Sequence, residues 1–377
     1  MIRGVAILGV IATHSNFDLV PYLAPGAVGH WHPLQDLLDA GGYGVELFFF
    51  LSGWLLALIY RGEHWSPRAY WARRITSIWP LWLVFLGLGL LEYAVLGGHD
   101  PRFGTLGRLA GPGSVLLHSG WPFPVALVAA ACFLGWFSPL LYNGAVLGGW
   151  SIQVEMGHYV VFPWLRRNPF RRTAAAVAVG YASYFACRGV LHLDHGLPVL
   201  GPALRAWLRL GLYGTLPYFA AGALASRLAL TRDDWSLPAV RAELSRRRAQ
   251  VAVLGVLLLV GLAVPLPFGR SGIAPFAFAA MLALALALGR IRYIGRAIAV
   301  CGFYSYFIYF AHFFVLQLTS HPVARGVASA LGRASTATYP AEILCNYALA
   351  LAISLTLGVL SYRFIERPFL NLGRRVR

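Results

Sequence analysis

The chain has little charge. Only 12% of its 377 residues are charged, and lysine does not occur at all. A soluble domain carries about twice that share of charged residues, so the composition excludes an ordinary water-soluble fold. Hydrophobic residues make up 58% of the chain and the mean hydropathy is +0.65, which also excludes a disordered chain. The composition therefore predicts an integral membrane protein.

Cysteine is scarce as well. The four cysteines lie in apolar surroundings, without CxxC or Cys/His spacing, so neither a disulfide framework nor a zinc site is indicated, and no metal is expected. A cleavable signal peptide is not evident, because the first apolar run contains His14 and no small-residue cleavage motif. We expect that run to be retained as a membrane helix.

Acidic residues are also few. The net charge is +17, and all 31 basic residues are arginine. In a soluble protein such an excess would suggest nucleic acid as a partner. In a membrane protein the simpler interpretation is that arginines hold cytoplasmic loops beside anionic lipid. We therefore expect membrane lipid, and no nucleic acid, as the partner of these charges.

Long apolar runs are abundant, each near the length of about 20 residues that spans a bilayer. Eleven occur, at 4–20, 44–60, 75–97, 122–141, 148–165, 172–191, 206–226, 249–269, 273–289, 297–320 and 342–362. If all eleven crossed, the arginine-rich loops would fall on both sides, against the positive-inside rule. The run at 122–141 contains three prolines and precedes a glycine-rich stretch, so we expect it to be re-entrant or broken.

The sequence thus predicts an all-α polytopic membrane protein with about ten transmembrane helices and one re-entrant or broken segment. Residues 1–377 would form one integral-membrane domain without an appended soluble domain. Both termini would face the cytoplasm. The oligomeric state cannot be predicted from these residues.

Ionisable side chains inside apolar segments are costly, so they usually face a cavity and act there. Arg3 and His14 are eleven residues apart, which places them on one face of a helix. Other such groups are Glu46 in the block GVELFFFLSG at 44–53, Glu155 and His158 in the block WSIQVEMGH at 150–158, and Tyr309 and His312 in the block SYFIYFAH at 305–312.

Two arginine-rich motifs flank membrane segments on the predicted cytoplasmic side. One contains Arg73 and Arg74, and the other is the stretch YRFIERPF at 362–369. Guanidinium groups offer forked donors to phosphate oxygens, so they suit a phosphorylated ligand. The alternative is that these arginines only set the topology and contact lipid phosphate.

In this order the motifs resemble the membrane-bound acyltransferase 3 family, the O-acyltransferases that modify bacterial surface glycans and related acceptors. The family's Arg-x10-His pattern is similar to Arg3–His14, and its G-V-D-L-F-F-x-L-S-G block to 44–53. Its W-S-L-x-V-E block is similar to 150–155, its S-Y-x-x-Y-x-x-H block to 305–312 and its I-E-R-P block to 365–368. This chain departs from the family in having Glu46 in place of Asp and Ser77 in place of the second Arg of R-x-x-R.

The resemblance implies acyl transfer, most often acetyl transfer, from cytoplasmic acyl-CoA to a hydroxyl of a carbohydrate or glycosylated acceptor in the bacterial inner membrane. His14 would be the general base or a transient acyl carrier, oriented by Glu155 or Glu46. His312 and Tyr309 would donate hydrogen bonds to the developing oxyanion. Further residues complete the expected site: Arg3, Arg73 and Arg74 for the CoA phosphates, and Trp150, Ser151 and His158 lining the cavity.

Two other classes remain open at this level. A proton-coupled transporter or flippase would use the same buried histidines and carboxylates, although the sequence shows no inverted repeat. A non-catalytic membrane scaffold would leave the buried charges without a role. Consumption of acyl-CoA by the purified protein discriminates the enzyme from both.

Overall fold

The computed structural model describes residues 1–19, 32–60, 65–96, 123–139, 141, 146, 148–189, 200–229, 284, 288, 291–330 and 338–375. Within these ranges every regular element is helical and no strand occurs. The predicted all-α class is confirmed for this part of the chain. The predicted runs at 249–269 and 273–289 lie outside the described residues, except for residues 284 and 288.

Thirteen helices are numbered here in chain order over the described residues. They are α1 (Ile2–Leu19), α2 (His32–Ala40), α3 (Gly44–Ile59), α4 (Pro67–Leu96), α5 (Phe123–Ala131), α6 (Trp150–Leu165), α7 (Pro169–Gly189), α8 (Leu200–Leu210), α9 (Leu212–Ala229), α10 (Arg292–Phe303), α11 (Ser305–Ala330), α12 (Tyr339–Ser361) and α13 (Arg367–Arg375). A short 3₁₀ turn precedes α3, another follows α5, and a π-helical turn joins α12 to α13.

Several of these helices are long and apolar enough to cross a membrane. Within the described residues three stretches meet that standard, Pro33–Ile59, Pro67–Leu91 and Tyr339–Arg375. A fourth is formed if α10 and α11 are taken as one span, although they meet at a bend of 78°. The structure thus supports at least three membrane spans.

The segment at 122–141 is broken, as its composition predicts. Its helix α5 has nine residues, which is about 13 Å at the usual rise and well short of a bilayer core. The break falls at Phe133, whose φ of 59° is left-handed, and not at a proline. Pro124 lies in the first turn of α5, where proline is tolerated. Its return to the same side of the membrane stays a prediction.

Two predicted single runs prove to be pairs of helices, and one helix was missed. The run at 206–226 divides at Gly211 into α8 and α9. The run at 297–320 divides at Tyr304, which leaves the helical conformation with φ −90° and ψ 8°. Helix α2 lies between the predicted runs at 4–20 and 44–60, where the sequence indicated no helix. Hydropathy does not register these breaks, because the residues on both sides are apolar.

The chain separates into two compact units, each discontinuous in sequence. The first unit comprises Met1–Val45, Trp65–Gln153 and Ala280–Arg377. The second unit comprises Glu46–His64 and Val154–Ala279. In the first unit α1 packs against α10, α11 and α12, and α13 packs against α4.

In the second unit a pair of glycines brings α3 and α9 into backbone contact. A Cβ atom on Gly53 would stand 2.0 Å from the carbonyl oxygen of Phe219, and one on Gly222 would stand 1.9 Å from that of Phe50. Any side chain at either position would therefore force the helices apart. The Ser-Gly pair of the sequence motif thus permits the close helix approach expected from small residues.

Candidate active site

Two histidines from distant parts of the sequence meet inside the first unit. The packing of α1 on α11 brings the ring centroids of His14 and His312 to 5.3 Å from each other. The ring of Phe313 lies 4.4 Å from that of His14. His312 is completely buried. Both histidines were expected at the site, and the structure brings them together.

The hydrogen bond of His312 fixes which ring nitrogen carries the proton. Its Nδ1 lies 3.0 Å from the carbonyl oxygen of Ile308. A carbonyl can only accept, so the hydrogen resides on Nδ1 and the neutral ring has its lone pair on Nε2. This Nε2 is buried and makes no hydrogen bond with any residue that the structure describes. The neutral ring thus offers an acceptor at Nε2, whereas the expected oxyanion role requires a donor.

Tyr309 and Ser151 lie beside this pair and hold one loop in place. The hydroxyl of Ser151 donates to that of Tyr309 at 2.8 Å, and Tyr309 donates to the carbonyl oxygen of Gly148 at 3.0 Å. Gly148 has a φ of 68°, and a Cβ there would stand 2.1 Å from the ring of Phe313. Only glycine suits this position. The loop before α6 is therefore fitted against the ring that packs on His14.

The remaining residue expected near this loop is Trp150. It opens α6 and is partly exposed. Tyr309 lies closer to the histidines, since its ring centroid is 5.8 Å from that of His312. Of the residues expected at the site, the first unit therefore clusters His14, His312, Tyr309 and Ser151.

Glu155 belongs to the second unit, where two hydroxyl groups hold it. Its Oε1 accepts hydrogen bonds from Ser52 at 2.6 Å and from Tyr159 at 2.5 Å. The side chain is buried, with 8% of its surface exposed. These two hydrogen bonds to one buried oxygen join α3 to α6 and add a bond within α6.

His158 lies in the same unit but has other partners. Its Nε2 is 3.2 Å from the hydroxyl of Thr215, which donates its own hydrogen to the carbonyl of Gly211 at 3.0 Å. Nε2 is therefore the protonated nitrogen, and Nδ1 is buried without a hydrogen bond to the described part of the chain. Phe219 stacks on the ring at 4.9 Å, and Phe49 meets it edge-on at 4.9 Å.

Glu46 is buried near the start of α3 with 6% of its surface exposed. Its Oε2 makes no hydrogen bond among the described residues, and Arg209 of α8 interacts electrostatically with the carboxyl group. Arg209, which lies in the predicted run at 206–226, was not among the residues expected at the site. The strongly amphipathic pattern of α8 was the signal that could have found it.

The arginines expected to hold CoA phosphates lie at the surface of the first unit. Arg3 and Arg73 are exposed, and Arg74 is partly buried. Helix α13 packs on α4 so closely that a Cβ on Gly373 would stand 2.0 Å from Thr76 Oγ1. This contact brings further exposed arginines beside α4, namely Arg367, Arg374 and Arg375. The sequence alone did not show that the two motifs adjoin.

Residues 1–362 match a protein-family model described as an acyltransferase domain. The chain belongs to the acyltransferase 3 family. Family membership and the apolar helices together make the protein a membrane acyltransferase. No curated protein and no solved structure gave a significant match. Within the described residues, no group of three or more His, Cys, Asp or Glu is arranged to hold a metal ion.

Proposed function

We propose that this acyltransferase 3 protein is a multi-pass enzyme of the bacterial inner membrane that acylates a hydroxyl group of a carbohydrate or glycosylated acceptor. Its donor would be acyl-CoA, with acetyl-CoA as the expected form. The proposal includes about ten membrane crossings and cytoplasmic termini, in keeping with the distribution of arginine.

The observation that carries the proposal is the pair of His14 and His312. Two imidazoles lie at a centroid distance of 5.3 Å, and one of them has a buried acceptor nitrogen without a hydrogen bond. Imidazole titrates near neutral pH, so such a pair can take up and return a proton during acyl transfer. Acyl transfer to a hydroxyl group requires such a proton transfer, because the hydroxyl proton must be removed and then passed to the leaving thiolate.

In the proposed reaction the acceptor oxygen attacks the thioester carbonyl carbon. The hydroxyl proton passes to imidazole, the carbon–sulfur bond breaks, and the CoA thiolate leaves and takes up the proton. His14 is the base that takes this proton in the direct route. In the alternative route His14 itself attacks the thioester carbon, the CoA thiol leaves, and the acceptor oxygen then takes the acyl group from the imidazole while His312 Nε2 accepts the hydroxyl proton. Tyr309, Ser151 and Trp150 are proposed to line the cavity. The other residues expected from the sequence, His158, Glu46 and Glu155, belong to the second unit, where Glu155 is proposed to act through its hydrogen bonds with Ser52 and Tyr159.

The phosphates of CoA are proposed to bind Arg3, Arg73 and Arg74. Exposed guanidinium groups on α4, with those of the adjoining α13, suit phosphate oxygens. Replacing Arg73 and Arg74 with glutamine should raise the KM for acetyl-CoA about tenfold without unfolding the protein. An unchanged KM in the folded variant removes both residues from the donor site.

The function is tested with radiolabelled acetyl-CoA and purified protein in detergent. Release of CoA thiol and movement of label onto a panel of glycans are followed together. The proposal predicts that the wild-type protein releases the thiol and labels at least one glycan class. A folded sample that consumes no acetyl-CoA would contradict it and favour a transporter or flippase.

The topology is tested separately, by a label at residue 168. Asn168 is exposed between α6 and α7. A cysteine placed there should react only with reagents that reach the cytoplasm. Reaction with an impermeant reagent added from outside would mean that the segment at 122–141 crosses the membrane.

A further inference from the structure

Two tryptophans of α4 hold the end of the broken segment. Trp79 Nε1 donates to the carbonyl oxygen of Ala131 at 2.8 Å, and Trp82 Nε1 donates to that of Ala130 at 2.9 Å. Helix α5 ends at Ala131, and the last carbonyls of a helix have no partner within it. The indole N–H groups supply such partners, so both tryptophans fasten α5 to α4.

The two tryptophans differ in what surrounds their rings. Trp79 is 41% exposed, whereas Trp82 is completely buried. The ring of Trp82 lies 5.3 Å from that of Phe133, where the segment breaks, and 5.9 Å from that of Phe310 on α11. Trp82 therefore links the broken segment to the helix that contains His312.

Trp82 also contacts the loop that leads into α6. We call it the entry loop, and its described residues are Val146, Gly148 and Gly149. A Cβ atom on Gly149 would stand 2.9 Å from Cζ3 and 3.0 Å from Cη2 of the Trp82 ring. These distances leave no room for a side chain, so the edge of the indole lies directly against the backbone of Gly149.

The entry loop in turn packs against the histidine pair. Gly148, the neighbour of Gly149, lies against the ring of Phe313. That ring lies 4.4 Å from the ring of His14 and 4.1 Å from the ring of His312. A displacement of the loop at Gly149 would therefore move the backbone that supports the ring between the loop and both histidines.

We propose that Trp82 is a positioning residue for acyl transfer, which keeps the entry loop and the ring of Phe313 in place beside the histidine pair. An indole suits this role because it combines an N–H donor for Ala130 with a ring wide enough to reach Gly149. A displacement of about 1 Å can cost about 10²-fold in rate, so a contact away from the reacting atoms can matter. This inference rests on the proposed function and adds to it a residue that was not expected at the site.

The first test compares Trp82→Phe with Trp79→Phe. Each substitution removes one indole N–H from a carbonyl of α5, so the loss of that hydrogen bond is common to both. Trp82→Phe in addition withdraws the ring edge from Gly149. It should lower kcat for acetyl transfer about 10- to 100-fold, with the KM for acetyl-CoA within about twofold of wild type, whereas Trp79→Phe should retain kcat. A role in stability alone would leave kcat per folded molecule unchanged.

A second pair of variants disturbs the same contact from the side of the loop. Gly149→Ala leaves both indole hydrogen bonds in place, so this test does not depend on whether Trp82→Phe folds. Its added methyl group meets the Trp82 ring, whereas that of Gly87→Ala on α4 meets no atom of the described residues within 4 Å. Gly149→Ala should lower kcat by about the same factor as Trp82→Phe, and Gly87→Ala should not lower it.

Hydrogen exchange follows the entry loop independently of the reaction. The amide of Gly149 donates to the carbonyl oxygen of Val146 at 2.8 Å, and loss of this bond should speed its exchange with solvent. Exchange is measured on a peptide that covers 146–153 of the purified protein in detergent. Trp82→Phe should raise the exchange rate there, and Trp79→Phe should not.

These measurements separate the inference from the proposed function. If the wild type consumes acetyl-CoA and folded Trp82→Phe or Gly149→Ala keeps its kcat, the positioning role is overturned while acyl transfer stands. Equal exchange of the loop in Trp82→Phe and Trp79→Phe also overturns it. If exchange distinguishes these two variants in a protein that consumes no acetyl-CoA, the proposed function fails, and the support that Trp82 gives to the loop stands.

Discussion

Two buried histidines, His312 in the first unit and His158 in the second, differ in what surrounds their unbonded nitrogen. His312 is protonated on Nδ1 and His158 on Nε2, and within the ranges that the structure describes each leaves its other nitrogen without a hydrogen bond. His312 lies beside the second imidazole of His14, whereas His158 lies between two phenylalanine rings. Burial of a titratable group is common to both, so the neighbouring groups indicate where chemistry is possible.

The largest effect should come from His312→Asn. The asparagine amide retains a donor for the carbonyl of Ile308 but removes the acceptor at Nε2. Loss of a proton acceptor should lower kcat for acetyl transfer by about 10²- to 10⁴-fold, measured by release of CoA thiol. His321→Asn on the same helix is the control, since His321 is partly exposed, and it should retain activity.

The same substitution can also show that His312 and His158 do not differ in function. If His312→Asn keeps a kcat within about twofold of wild type, Nε2 of His312 takes no part in the reaction. His312 and His158 would then be alike in having only a structural role. Thermal unfolding of the same samples shows whether any loss of activity is only a loss of fold.

A smaller effect is expected from Glu155→Gln, and mainly on stability. The Oε1 of Glu155 accepts from both Ser52 and Tyr159, and a neutral amide holds these hydroxyls more weakly. The free energy of unfolding should fall by about 1–3 kcal/mol, measured as a lower unfolding temperature in detergent. A kcat loss as large as that of His312→Asn, at unchanged stability, would instead place Glu155 beside the reacting atoms.

The smallest effect should come from Thr215→Val. The substitution keeps the shape of the side chain and removes the oxygen that accepts from His158. The expected cost is about 0.5–1.5 kcal/mol in unfolding free energy, with kcat and both KM values retained. A change in the pH dependence of kcat would show that His158 takes part in proton transfer and would remove the contrast with His312.

Much of the candidate site could be predicted along single helices. The spacing of Arg3 and His14 predicts one helix, and so does that of Tyr309 and His312, and α1 and α11 contain these pairs. Local periodicity suffices for this, because residues three, four or eleven apart share a helix face.

What the sequence could not supply are contacts between distant segments. The meeting of His14 with His312 and the bonds of Asn16 with Tyr339 join residues about 300 positions apart. No local pattern encodes such pairings. Breaks at Phe133 and Tyr304 were likewise hidden, since aromatic residues in an apolar run carry no turn signal.

The most direct test of the central claim is the rate of CoA thiol release from acetyl-CoA by purified wild-type protein beside His14→Ala, at saturating donor and with a labelled glycan acceptor. Acyl transfer at the pair of histidines predicts that the wild type turns over and that folded His14→Ala loses at least about 10²-fold in kcat. Equal turnover by the two proteins would contradict the account.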